Sequence, residues 1–156
     1  MLGRHSLVGV IIAFSLSESL LAIDTHKINA FGVTPWTSKI EVELRLWQGG
    51  FRFQSRKNTS RSVVRTVYVS TYSQVVLYHM GSRCLHLETP LIEVDGQTLQ
   101  VNDTKASIIN KLGNPDRAGT WSNCESLVYQ DTNSGGALNV RLAKGKVVHF
   151  SFPFHH

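Results

Sequence analysis

What this chain lacks sets the first bounds on it. It has only two cysteines, Cys84 and Cys124, in 156 residues, so at most one disulfide can form within it. No Gly-x-Ser-x-Gly elbow, Walker loop, Gly-rich dinucleotide fingerprint or His-Glu-x-x-His pair occurs. Those absences remove the sequence signatures of common hydrolases, nucleotide-dependent enzymes and zinc proteases. No acidic residue stands between Glu43 and Glu88, so that stretch cannot neutralise its own basic side chains. Beyond residue 22 no apolar run approaches the about 20 residues of a membrane-crossing helix, and no integral membrane segment is expected there. At 156 residues and 17.4 kDa the chain has room for one domain or two very small ones, which excludes a large multi-domain enzyme. A composition 42% hydrophobic and 17% charged, with net charge +5, is that of a folded, moderately basic protein rather than a disordered tail.

Residues 1–22, MLGRHSLVGVIIAFSLSESLLA, place Arg4 and His5 ahead of an apolar stretch from Leu7 to Leu16 and end on Ala22. That order is a secretory signal peptide, with a mature chain starting near Ile23 in the periplasm or outside the cell. No cysteine lies near the cleavage point, which argues against a lipid anchor. In an oxidising compartment Cys84 and Cys124 would most simply pair as a disulfide. Such a bridge would stabilise by about 4 kcal/mol on the chain-entropy account.

The mature chain divides into a β-rich basic region over 23–90 and a mixed region over 91–156. In KIEVELRLW, Ile40, Val42, Leu44 and Leu46 alternate with charged residues, the pattern of a half-buried strand. Gly49-Gly50 then turns the chain into a second strand carrying Phe51 and Phe53. Val63 to Leu77, rich in Val, Thr and Tyr, predicts one or two more strands. Asp95-Gly96 predicts a hairpin, because both turn residues must tolerate positive φ. Asn102-Asp103-Thr104 offers N-caps to a short helix with Ile108, Ile109 and Leu112 on one face, stopped by Gly113 and Pro115. The segments ESLVYQ, ALNVRL and VVHFSF predict a three-stranded antiparallel meander. The fold class read from these elements is α+β: a β-rich N-terminal half, a β-hairpin, one short helix and the meander packed on it.

A helix ending in KLGNPDR, a strand containing LVYQ, a second with LNVRL and a close of the form KGKVVHFSF resemble the SmpA/OmlA domain, a small-lipoprotein component of the β-barrel assembly machinery. The resemblance covers roughly residues 92–156. β-Lactamase inhibitor proteins share that fold and small exported immunity proteins have similar helix-plus-meander domains, so the resemblance implies binding rather than catalysis.

Charge points to where binding would occur. Arg45, Arg52, Arg56, Lys57, Arg61, Arg65 and Arg83 fill the stretch that has no acids. Trp47, Phe51 and Phe53 are interleaved with them, and arginine with aromatics is the chemistry of energetic hot spots. The candidate partner-binding residues are therefore Arg45, Trp47, Phe51, Arg52, Phe53, Arg56, Lys57, Arg61 and Arg65, and the expected partner is an acidic protein, since guanidinium groups pair carboxylates bidentately. Phosphates would also pair with these arginines, but an exported chain seldom meets nucleic acid, and none is expected as partner.

Among the remaining polar residues, His79, Cys84 and His86 lie close together and His149 is on the last strand, yet their spacing fits no zinc motif. Asp95 is explained by its turn and Asp103 by helix capping. No metal, cofactor or catalytic residue is expected. The function expected is an exported, non-catalytic immunity or inhibitor protein that neutralises a toxin or hydrolase by occluding its active site. The alternative is a periplasmic envelope-assembly or scaffold component like the SmpA/OmlA domain; the missing lipid-attachment cysteine and the added basic half weigh toward the first.

Overall fold

The computed structural model describes residues 23–155. The secretory signal expected over residues 1–22 lies outside the described residues.

The fold is mostly β, 53% of the described residues being strand and 16% helix, a 3-10 turn at Thr25–Lys27 included, which corrects the α+β expectation. The elements in chain order are β1 (Ile28–Asn29), α1 (Lys39–Gln48), β2 (Arg52–Ser60), β3 (Val63–Val69), β4 (Gln74–Met80), β5 (Arg83–Thr89), β6 (Leu91–Val94), β7 (Gln97–Gln100), α2 (Lys105–Leu112), β8 (Arg117–Trp121), β9 (Cys124–Gln130), β10 (Ala137–Ala143) and β11 (Lys146–Pro153). They form a three-stranded sheet, β1-β6-β7, and an eight-stranded sheet, β2-β3-β4-β5-β11-β10-β9-β8. All strand pairs are antiparallel. The hairpin around Asp95-Gly96 is β6–β7, and the helix after Thr104 is α2. The C-terminal meander has four strands, β8 to β11, rather than three. It joins the N-terminal strands through β11, whose Phe150 lies opposite Thr89 of β5.

The segment expected to be a strand, KIEVELRLW, is helix α1. Ser38 accepts from the Glu41 N–H while the Glu41 carboxylate accepts from the Ser38 N–H, a complete capping box. Lys39 pairs with Glu43 one turn on at 3.1 Å, and the Gly49 N–H closes on the Arg45 carbonyl. Only Val42 and Leu46 are buried. They are four residues apart, which is one face of a helix and also one face of a strand, so alternation over a short run does not separate the two.

One hydrophobic cluster fills the space between the inner face of the large sheet and the elements packed on it. Leu77, Leu87, Phe150, Phe152, Leu138, Val140, Leu142 and Leu127 come from the large sheet, Val42 and Leu46 from α1, Ile108 and Leu112 from α2, and Ile28, Ile92 and Leu99 from the small sheet. The strand alternation in β10 is plain: Leu138, Val140 and Leu142 point in, and Asn139 and Arg141 lie on the outer face.

Cys84 and Cys124, expected to pair as a disulfide, are not bonded to each other in the structure. Cys84 is on β5 and Cys124 on β9, with β11 and β10 between them. Three strand spacings amount to about 14 Å, twice the about 7 Å Cα separation that a disulfide tolerates. Burial pushes the Cys84 thiol up to about 11, which keeps it protonated.

Candidate partner-binding face

Helix α1 buries one side and leaves an apolar stripe outside. Ile40 is 81%, Leu44 51% and Trp47 59% exposed. At 100° per residue these three fall within about 60° of arc, on the solvent side and toward β2. Three large apolar side chains exposed on one helical stripe make this face a candidate interaction surface.

Strand β2 continues that surface. The Arg52 guanidinium lies over the Trp47 ring, 5.2 Å from its centroid, and donates to the Trp47 and Phe51 carbonyls at 3.0 and 2.8 Å. Phe53, 58% exposed, meets Tyr68 edge-on at 6.5 Å and carries Arg56 over its own ring at 5.8 Å. Cation–π contacts of this kind hold the arginines in place without neutralising them. The two acids of α1 are already engaged: Glu43 with Lys39 and the Tyr68 hydroxyl, Glu41 with Ser38, whose N–H and hydroxyl hold its carboxyl below the usual range.

The nine candidate residues do not form one patch. Trp47 pairs with Arg52 and Phe53 with Arg56; Phe53 and Arg56, opposite Tyr68 and Thr66, lie on the helix side of β2. Lys57 lies directly opposite Arg65, both on the other face of the sheet by strand alternation. Arg61 is at the hairpin tip with φ 43°. Two of the nine are structural. Phe51 is buried, packed edge-on against Phe31 at 4.7 Å, because Gly49-Gly50 turns it back under α1, where its N–H bonds to the Leu46 carbonyl. Arg45 is turned away from β2 and donates to the Gly32 carbonyl. Ile40 and Leu44 were missed in the sequence because a strand reading buries them; the signal that exposes them is the Ser38-x-x-Glu41 capping box.

A second cluster that the sequence did not disclose lies on the outer face of the large sheet. Tyr78 and His86 stack at 4.1 Å, and the Arg141 guanidinium sits over Trp121 at 5.3 Å. A cleft of about 520 Å³, lined in part by Tyr72, Val76, Glu88 and His149, opens beside them. Burial lowers the pKa of both His86 and His149 against the opposing pull of Glu88. His79 lies instead on the inner face, accepting from the Thr66 hydroxyl at Nε2 and donating from Nδ1 to the Gly81 carbonyl, both at 3.1 Å. The sheet thus separates His79 and Cys84 from His86 and His149. No group of three or more His, Cys, Asp or Glu side chains among the described residues is placed to hold a metal. Asp95 sits in its hairpin turn, bridged to Lys27 at 3.2 Å. Asp103 accepts from the Gln100 N–H, and Thr104 rather than Asp103 caps α2.

No helix among the described residues is long and apolar enough to cross a membrane. No protein-family model, curated protein or solved structure matches this chain.

Proposed function

We propose that this chain is a non-catalytic binding protein of the inhibitor or immunity type, exported by its N-terminal signal, that seats an acidic surface of a toxin or hydrolase on the face made by α1 and β2. The observation that carries the reading is the juxtaposition of the exposed Ile40, Leu44 and Trp47 stripe with Arg52 and Arg56, each held over an aromatic ring. An apolar centre with arginine at its margin is the composition of interface hot spots. Pre-positioned guanidinium groups lose little side-chain entropy on binding carboxylates and steer an acidic partner toward the site.

The test begins with affinity capture from envelope and secretion extracts by the chain from Ile23. It then compares that chain with Trp47→Ala and with the double variant Arg52→Glu, Arg56→Glu. A hot-spot loss of about 2 kcal/mol, near 30-fold in Kd, is expected for Trp47→Ala. The charge reversal should abolish capture while circular dichroism stays native. A partner held equally well by all three proteins would sink this reading.

A further inference from the structure

The large sheet ends at β2, and that edge is unlike the opposite one. Strand β2 spans nine residues, all of them exposed, and contains no proline; the strand at the other edge, β8, spans five. A long open edge presents unpaired backbone N–H and C=O groups and is a template for another strand. Register shifts between Phe53 and Ser55 and between Asn58 and Ser60 leave Ser55 to Asn58 as the regularly paired stretch. Its centre is Arg56-Lys57, and across the ladder Lys57 faces Arg65, a like-charged pair that costs stability when nothing neutralises it. Two copies of this edge repel each other. An acidic strand removes the repulsion.

We infer that the β2 edge takes an extended acidic segment of the partner as an added strand, with an adjacent pair of Asp or Glu residues set against Arg56 and Lys57. This deepens the binding reading above and rests on it. Neighbouring residues of a strand point to opposite faces, so one carboxylate meets Arg56 on the helix side and the other meets Lys57 and Arg65 on the outer face. An alternating acidic pattern would fill only one of the two. Phe53 shares the helix side with Arg56, so an apolar residue two positions from that first carboxylate packs beside the Phe53 ring. Backbone pairing supplies affinity and the side-chain pattern supplies the choice of partner, as in other strand-addition complexes.

The probe is the capped peptide Thr-Val-Thr-Glu-Glu-Thr-Val-Thr, whose symmetric pattern serves either strand direction, titrated into the full chain with amide NMR and hydrogen exchange as readouts. Two further peptides accompany it: one with both Glu replaced by Gln, and one N-methylated through its four central residues, which keeps the charge and removes the edge donors. Strand addition predicts slowed exchange of amides within 55–58 and at least tenfold weaker binding of both modified peptides. Equal binding of the N-methylated peptide would overturn strand addition while leaving an electrostatic site on β2. No binding by any of the three would also overturn it, and the partner-binding reading would then be judged separately by the Trp47 and arginine variants.

Discussion

Asp131 shows how one side chain can hold distant parts of the chain together. Its carboxylate accepts from the Thr25 N–H at 2.9 Å and the Thr25 hydroxyl at 2.7 Å, and from the Ser134 hydroxyl and the Asn133 N–H within its own turn. Burial works against its charge, but these donors more than compensate and hold the carboxyl far below the usual carboxylate range. Asp131→Ala leaves the Thr25 donors unmatched in a buried place. A loss of about 3 kcal/mol in urea unfolding is expected, together with faster proteolysis near Thr25. Gly136 in the same turn is required by space rather than by φ: a Cβ there would come within 2.6 Å of His155 Nε2 and 2.8 Å of Thr25 Cγ2. Gly136→Ala should therefore be destabilising, and wild-type unfolding of that variant would refute the close approach. The motif DTNSGG reads as a turn in sequence, and it is one. That the turn also clamps Thr25 is invisible there, because the contact spans most of the described chain.

Helix α1 and strand β2 divide the aromatic residues by role. Phe51→Ala empties a core position and should cost about 3–5 kcal/mol, whereas Phe53→Ala, on an exposed strand, should cost under about 1 kcal/mol and show itself in partner binding instead. Equal unfolding midpoints for the two variants would contradict this assignment. The sequence offers both as members of one alternating strand; the Gly49-Gly50 turn separates them. Ser38→Ala removes one half of the capping box and should cost about 1 kcal/mol, read as loss of helical signal and stability. In the candidate site, Trp47, Arg52, Phe53 and Arg56 were legible from residue type alone. Ile40 and Leu44 were not, because the period assigned to residues 39–47 decided which side chains pointed outward, and a ten-residue segment with two buried positions fits either period.

Three histidines, His79, His86 and His149, have pKa values lowered by burial, which makes the fold sensitive to mild acid. The unfolded chain binds protons at these sites from about pH 6.5 downward, where the folded chain still resists them, so stability falls as pH drops below that value. Asp131 and Glu41 act lower down: their depressed values contribute stability that is lost only below about pH 4. A lower urea midpoint is expected at pH 5.5 than at pH 7.5, and a smaller difference in the double variant His86→Gln, His149→Gln. An unchanged difference would assign the effect to other groups. The β-hairpin at Asp95-Gly96, the stop at Gly113 and the absence of acids from 44 to 87 are settled within a few residues of sequence, because turn chemistry, capping and charge act locally. Strand order is not. The pairing of β5 with β11, the separation of Cys84 from Cys124, the division of the histidines between two faces and the exposure of the β2 edge all follow from which non-local strands meet and in which register. A one-residue change of register exchanges inner and outer faces, so those features arise only when the long-range ladder closes.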